Sequence, residues 1–569
     1  MNLQELEQRG ERLLAYLEKN PNHGPTYDAL GLLAMDSSST AEAIDLIRNA
    51  IRLDGPTPEY CAHLGEAFAR RGDYRSAAAC LSQALVSFPD HVDLRWAYAN
   101  LLHLEGRTEE AALNYEKLLA VRPRHAEAWF NMGVSRGLLG QLDQARRAYE
   151  QAVAIQPAYA EAWNNLALLE VAAGNPAGAE VCYRRALLVK PNYRDALYNF
   201  AVLLQDQERL QEAASMNERL LAIDGAFAEA HNNLGNCYLK LNRLAEAQNQ
   251  YVETLAIRAS HREAPLNLGI VSLLMGDLAQ GWVGYEHRQA QRDIDRWDWK
   301  IPRWDGKLRA GESILLHAEQ GFGDTIHFAR YAPLLAQGGM DVHVLCQPAM
   351  APLLQTLAGV KHCVSKLEDL EVVDWQAPFP SLPYCFRTTL ETIPNKVPYL
   401  KVELARQQSW KRLYSELPPA RKRVGLVWQG NPKHRNDRNR SIAPRLLAPL
   451  LETVDIQWLS LQKGGDKSNL PTAVMDLAPL LVNFAETAAA IEGLDLVITV
   501  DTAVAHLAGA LGKPVWTLIP YAPDWRWLLY RDDSPWYPTM RLFRQPIAGD
   551  WDSVILAVRR ALGEFTRVN

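Results

Sequence analysis

A 34-residue period runs through the first half of the chain and constrains its fold more than any other feature. Pro21, Gly55, Pro89, Pro123, Pro157, Pro191, Gly225 and Ala259 stand 34 residues apart, and so do Gly31, Gly65, Ala99, Gly133, Ala167, Ala201, Gly235 and Gly269. The first set marks a turn between units, and the second a small residue where two helices approach closely. Within Ala126–Tyr159, Trp129, Met132 and Gly133 fall at helical spacing and Gly140 closes the first helix. Ala145, Tyr149 and Ala152 then form the apolar stripe of a second helix. One such helix pair cannot bury its apolar face alone, so the units are expected to stack into a right-handed α-solenoid with a concave inner surface.

This order of tryptophan, small residue, Ala-x-x-x-Tyr-x-x-Ala and proline resembles the tetratricopeptide (TPR) consensus, with five close units and drifting flanks that suit capping repeats. The array is expected over residues 1–295, as seven to eight repeats behind an N-terminal capping helix. Asn131, Asn165, Asn199, Asn233 and Asn267 recur at one repeat position on the first helix of each unit. First helices line the concave face of TPR arrays, and a primary amide offers both a donor and an acceptor to an extended backbone. A comparable ladder grips substrate in the O-GlcNAc transferase family, whose catalytic domains look unrelated. Asparagine is also simply common at this consensus position, so acceptor binding and a consensus habit both remain open.

The rhythm ends in a tryptophan-rich joint, residues 296–310, where Trp297, Trp299 and Trp304 join Trp282 and Tyr285 of the last repeat as expected packing against the next domain. Short apolar runs then alternate with helical patterns, which argues for parallel sheets covered by helices. One α/β domain is expected over 311–405, opening with Ser313–Ala318. A second, over 406–569, has strand-like runs at Arg423–Gln429, Gln457–Leu461, Leu494–Val500 and Pro514–Ile519. Two such domains leave a cleft at the carboxyl ends of their strands, where ligands bind.

Three segments in that half carry chemistry. Asp501–Leu511 (DTAVAHLAGAL) follows an apolar strand and opens a helix. Asp501 or Thr502 would cap it, the amides of Thr502, Ala503 and Val504 would form an anion site, and His506 would face the same site or serve as a structural histidine. Trp428–Ser441 (WQGNPKHRNDRNRS) places Lys433, His434, Arg435, Arg438 and Arg440 beside Gly430 and Asn431. That composition suits a diphosphate, or a merely solvated loop. Gly321-Phe322-Gly323-Asp324 puts a carboxylate at a strand-to-helix turn with His327 one turn later; Asp324 reads either as a general base or as a helix cap.

Together these residues resemble glycosyltransferase family 9, the heptosyltransferase-like enzymes, over roughly Gly311–Ala561. The resemblance implies a GT-B fold of two Rossmann-like α/β domains after the solenoid. Carried over by position, Asp324 matches the catalytic base, with His327 grouped beside it. Asn431 and Arg440 match the donor-phosphate contacts, and Asp501, Thr502, Ala503 and His506 match the donor-sugar and diphosphate site, while Gly430, Arg438 and Val504 join them as donor-binding candidates from their place in the same two segments. Gln462 and Lys463 stand where the family places nucleoside contacts. Arg440 replaces a typical lysine and Ala503 a frequent glycine, so the sugar identity does not carry over. A TPR array is foreign to classical heptosyltransferases. The combination resembles bacterial TPR-linked glycosyltransferases, some associated with flagellin and other surface proteins. It implies transfer of a sugar from a nucleotide-activated donor to a hydroxyl of a protein docked on the repeats, with no metal and no other cofactor. A lipopolysaccharide or glycan transferase and a non-catalytic TPR scaffold are the competing readings.

Composition removes other classes. A net charge of -6 gives no footprint for a nucleic-acid polymer. No apolar run approaches the roughly 18 residues of a membrane span, and Met1–Asn20 is charged and amphipathic rather than a secretory leader. The seven cysteines are scattered without a C-x-x-C pair, which suits reduced thiols and a cytoplasmic location.

Overall fold

The computed structural model describes residues 3–567 except 38, 292–299, 320, 371, 419–421, 435, 466 and 468–473. Trp297, Trp299 and Arg435 therefore lie outside the described residues. The chain divides into two compact units, Met1–Gly225 and Ala226–Asn569.

The first unit is built of TPR helix pairs behind a leading helix, Leu3–Lys19; the unit read above pairs Ala126–Leu138 with Leu142–Ile155. Its pairing rule is visible in one contact. A Cβ on Gly133 would lie 2.6 Å from the Tyr149 ring, so the small residue of the first helix is the socket for the large one 16 positions later. Gly31 receives Ile47 and Gly65 receives Leu81 in the same way. The first helices from Pro58–Arg70 to Arg194–Asp206 are each followed by a residue with positive φ: Gly72, Gly106, Gly140 and Gly174, then Glu208 at 59°. Glycine adopts this conformation without the Cβ clash that other residues incur, which explains its recurrence after the first helix. Trp129 and Trp163 donate their Nε1–H to the carbonyls of Pro123 and Pro157 at 2.8 and 2.9 Å, tying each first helix to the turn before it.

The second unit begins with two further pairs, Ala228–Lys240 with Leu244–Ile257 and Ala264–Leu274 with α1, Leu278–Tyr285. Gly269 and Gly284 bring the last pair together backbone to backbone. Trp282 of α1 is buried and donates to the carbonyl of Thr388 at 2.8 Å, while buried Trp304 donates to that of Lys307. Both tryptophans thus pack as the joint composition suggested.

Two parallel sheets follow. The first is ordered β3-β2-β1-β4, from β1 (Ser313–His317), β2 (Asp341–Leu345), β3 (Val360–Val364) and β4 (Trp375–Pro378). Helix α2, Phe322–Phe328, leaves the carboxyl end of β1. The second is ordered β10-β9-β8-β5-β6-β7, from β5 (Lys422–Val427), β6 (Ile456–Ser460), β7 (Met475–Asp476), β8 (Leu496–Val500), β9 (Val515–Ile519) and β10 (Met540–Arg544). β8 and β9 are buried along their whole length, as strands covered on both faces must be. The strand order reverses between β5 and β8, which opens a crevice at their carboxyl ends. The basic loop after β5 and helix α3, Ala503–Ala510, after β8 flank that crevice. No helix among the described residues is long and apolar enough to cross a membrane.

Candidate functional site

Asp501, Thr502, Ala503 and Val504 are half-buried at the carboxyl end of β8. Contrary to expectation, the α3 N-terminus has no side-chain cap: the Thr502 hydroxyl pairs with that of Thr499 at 3.1 Å. Among the described residues the N–H groups of Ala503 and Val504 have no hydrogen-bond partner, which leaves the positive end of the helix open to an anion. Burial and the Asp524 carboxylate push Asp501 up to about 6, against the pull of Arg440.

The loop after β5 is shaped by its one glycine. A Cβ on Gly430 would fall 2.3 Å from Asp437 Oδ1 and 2.7 Å from Arg440 Nη2, so only glycine lets that ion pair lie against the backbone. Arg440 is 14% exposed and bonds Asp437 through Nε at 3.3 Å. Asn431 and Arg438 are exposed, and the Asn431 Oδ1 accepts from the Lys433 N–H. Gln462 departs from the expected nucleoside contact. It is buried, and its Oε1 accepts the backbone N–H groups of Trp428 and Gln429 at 3.2 and 3.0 Å, which ties down the end of β5. Lys463 is exposed, with its Nζ on the Leu481 carbonyl.

From the first sheet's side, Asp324 sits in the first turn of α2 and its carboxylate folds back over Gly321. Its Oδ1 accepts from Arg526 Nη2 at 2.7 Å, and Arg526 Nη1 reaches Asp524 at 2.8 Å. The arginine is 7% exposed against 32% and 35% for the two carboxylates. Its guanidinium lies 4.2 Å from the Trp525 ring centre. Burial opposes its charge, but Asp524 and Asp324 more than offset this and hold Arg526 well above the ordinary arginine range. Trp525 in turn meets Trp282 of α1 edge-on at 5.2 Å, so the last TPR helix forms part of the floor beneath the arginine.

His327 departs from the expected catalytic position. It is fully buried, 4.5 Å from the Trp536 ring, with Nδ1 on the Tyr537 hydroxyl at 3.1 Å. Tyr331, Trp536 and Phe328 also come to lie in this aromatic core, which closes over a ring that sequence spacing alone put on the cleft side. His506 is buried too. It stacks on Trp527 at 5.2 Å, and its Nδ1 meets the same Tyr537 hydroxyl at 3.0 Å. A Cβ on Gly323 would lie 3.2 Å from His506 Cδ2, so α2 and α3 meet through a glycine on one and an imidazole on the other.

Sequence reasoning missed Asp524, Arg526, Trp527 and Tyr537. A usable signal existed: Asp524-Trp525-Arg526-Trp527 lies beyond the carboxyl end of β9, the position that singled out the other two loops. The repeat asparagines are half-buried on first helices. In the first unit, Asn131 donates to Asn100 at 3.1 Å, Asn165 to the Tyr149 hydroxyl at 3.4 Å, and Asn199 to Asn164 at 3.2 Å. In the second, Asn267 donates to Asn232 and Asn236 at 3.2 and 3.1 Å, and Asn233 also has a partner. Among the described residues no group of three or more His, Cys, Asp or Glu is arranged to hold a metal ion.

Tetratricopeptide repeat models match residues 62–114, 138–174, 166–226 and 198–265, and the glycosyltransferase family 9 (heptosyltransferase) model matches residues 467–534. That last match includes α3 and Arg526. The chain is similar to Protein FlbA of Caulobacter vibrioides, 28% identical over 317 residues, 50% of this chain and 52% of the relative. It thus spans about half the length of that relative. It is also similar to the N-terminal acetyltransferase A complex auxiliary subunit NAA15 of Arabidopsis thaliana, 31% identical over 129 residues, 22% of this chain and 14% of the relative. Among solved structures, YrrB, a TPR protein with an unusual peptide-binding site, is 22% identical over 33% of this chain and 96% of its own, with a TM-score of 0.30. MamA from Desulfovibrio magneticus RS-1 is 20% identical over 30% of this chain and 96% of its own, with a TM-score of 0.29. The chain thus combines tetratricopeptide repeats with two parallel-sheet α/β domains, the second of which contains a stretch that matches the glycosyltransferase family 9 (heptosyltransferase) model.

Proposed function

We propose that this protein transfers a sugar from a nucleotide-activated donor to a hydroxyl of a protein acceptor held by the repeats, with a surface protein such as flagellin as a candidate acceptor. The observation that carries this reading is the meeting of opposite chemistries at one crevice. A half-exposed carboxylate, Asp324, stands on the side of the first sheet, while open helix amides and Arg440 stand on the side of the second. The acceptor oxygen attacks the anomeric carbon, its proton passes to the Asp324 carboxylate, and the bond from that carbon to the diphosphate oxygen breaks. Arg440, the Ala503 and Val504 amides and His506 then bear the charge that grows on the departing diphosphate. Neutralisation by these groups needs no metal. The protein works in the cytoplasm, where nucleotide-activated sugars are present.

Titration of the purified protein with ADP-, GDP-, UDP- and CMP-linked sugars, beside His506→Ala, tests the donor site. Selective binding that weakens in the variant is expected, and a folded protein that binds none of them defeats the reading. Replacing Asn131, Asn165 and Asn199 together by alanine is expected to abolish transfer to the protein acceptor while donor binding persists. Unchanged transfer refutes the ladder's role.

A further inference from the structure

The Tyr537 hydroxyl lies between two histidines brought from different sheets, 3.0 Å from His506 Nδ1 and 3.1 Å from His327 Nδ1. Burial, ahead of the nearby arginine charges, pushes both imidazoles well below the ordinary histidine range, so each is neutral and carries one N–H. Where those two protons sit follows from what each ring can satisfy.

His327 Nε2 is buried without a partner. A buried orphan N–H is costlier than a bare lone pair, so the proton of His327 sits on Nδ1 and is donated to the Tyr537 oxygen. With a proton already on His327 Nδ1, the acceptor found at hydrogen-bond distance from the Tyr537 hydroxyl among the described residues is His506 Nδ1, and the Tyr537 proton goes there. That leaves the single proton of His506 on Nε2, the atom on the ring edge that faces Gly323 and Ala503. Among the described residues no hydrogen bond is found for that atom.

We infer that Tyr537 and His327 are positioning residues that fix His506 as its Nε2–H tautomer, so that it presents a hydrogen-bond donor beside the free Ala503 and Val504 amides. The His506 Nε2–H and the Ala503 and Val504 amides then all donate, which favours a ligand rich in acceptor oxygens, such as a diphosphate. This rests on the donor-binding reading above. It adds that recognition by the second α/β domain depends on a buried ring from the first. Gly509 belongs to the same device, since a Cβ there would lie 2.4 Å from the Tyr537 ring that must cross α3 to reach His506.

Long-range nitrogen–proton correlation spectra of the full chain, labelled with ¹⁵N-histidine and assigned with His506→Asn and His327→Asn, read the tautomers directly. The expected result at pH 7.5 is Nε2–H on His506 and Nδ1–H on His327. In Tyr537→Phe, which keeps the ring and loses the hydroxyl, His506 is expected to become a mixture of tautomers. Binding of UDP, GDP, ADP or CDP is expected to weaken about tenfold in the same variant, the scale of one hydrogen bond to a charged group. An Nδ1–H tautomer on His506 in the wild type overturns the inference whether or not the variant folds, and so does a His506 spectrum unchanged by Tyr537→Phe. If the expected tautomers appear but no nucleotide binds, the nucleotide-sugar reading fails while the positioning of His506 stands.

Discussion

Replacing Asp501 by asparagine is expected to stabilise the protein at neutral pH, because this carboxylate is held where ionisation is disfavoured. It is half-buried beside the Asp524 carboxylate, and burial together with that neighbour pushes it up to about 6, from an ordinary 3.8. A carboxyl that titrates higher in the folded chain than in the unfolded one binds its proton more tightly when folded. Stability therefore falls as pH rises between about 4 and about 6, and the whole penalty is present above that window. At about 1.4 kcal/mol per pH unit the difference caps the penalty near 3 kcal/mol, and partial hydration of a half-buried group reduces it to about 1–2 kcal/mol. Asparagine keeps the shape and removes the charge. Urea unfolding of wild type and Asp501→Asn should thus show a gain of about 1–2 kcal/mol at pH 7.5 that shrinks to about a third of that at pH 4.5. A variant no more stable than wild type at pH 7.5, or one with the same advantage at both pH values, refutes the reasoning. The carboxylate then costs the fold nothing.

Arg526→Gln should cost about 2–3 kcal/mol, less than a fully buried ion pair because both carboxylates are about one-third exposed. A double-mutant cycle with Asp324→Asn should return a coupling of about 1–2 kcal/mol, and a value under about 0.5 kcal/mol removes the pair from the account. Gly509→Ala forces the buried Tyr537 ring to move and should lower stability by about 2 kcal/mol in the same unfolding assay; a neutral result means the ring has room that the packing does not show. Gly140→Ala meets no atom within 4 Å and so tests backbone conformation alone. Its φ of 71° predicts a loss of about 1 kcal/mol by urea midpoint, and an unchanged midpoint contradicts it.

The repeats were legible because their information is local. A helix pair needs a socket and a knob 16 residues apart, a residue able to take positive φ after the first helix, and a turn, and each recurs every 34 residues. Gly133 against Tyr149 and Trp129 against Pro123 join residues close along the chain, so spacing alone specifies them. The two anion-facing elements, Gly430 to Arg440 and Asp501 to His506, were legible for a related reason. An apolar run followed by a polar turn marks the carboxyl end of a parallel strand, and ligands gather there whatever the rest of the sheet does.

Tertiary structure decided the identity of the groups that complete the site. Asp324 and Arg526 are 202 residues apart, and Tyr537 reaches His506 and His327 across 31 and 210 residues. No periodicity connects such positions. Whether a side chain faces a crevice or a core depends on what distant segment covers it. Gln462 turns inward because the amides of Trp428 and Gln429, just past the end of β5, need an acceptor. His327 is enclosed because Trp536 and Tyr537 fold over α2. The sequence by itself determined the repeats, the parallel sheets and the strand ends where chemistry collects. Only the fold decided which of those polar residues remain at the crevice and which are consumed in building it, because the burial of each depends on partners contributed from elsewhere in the chain.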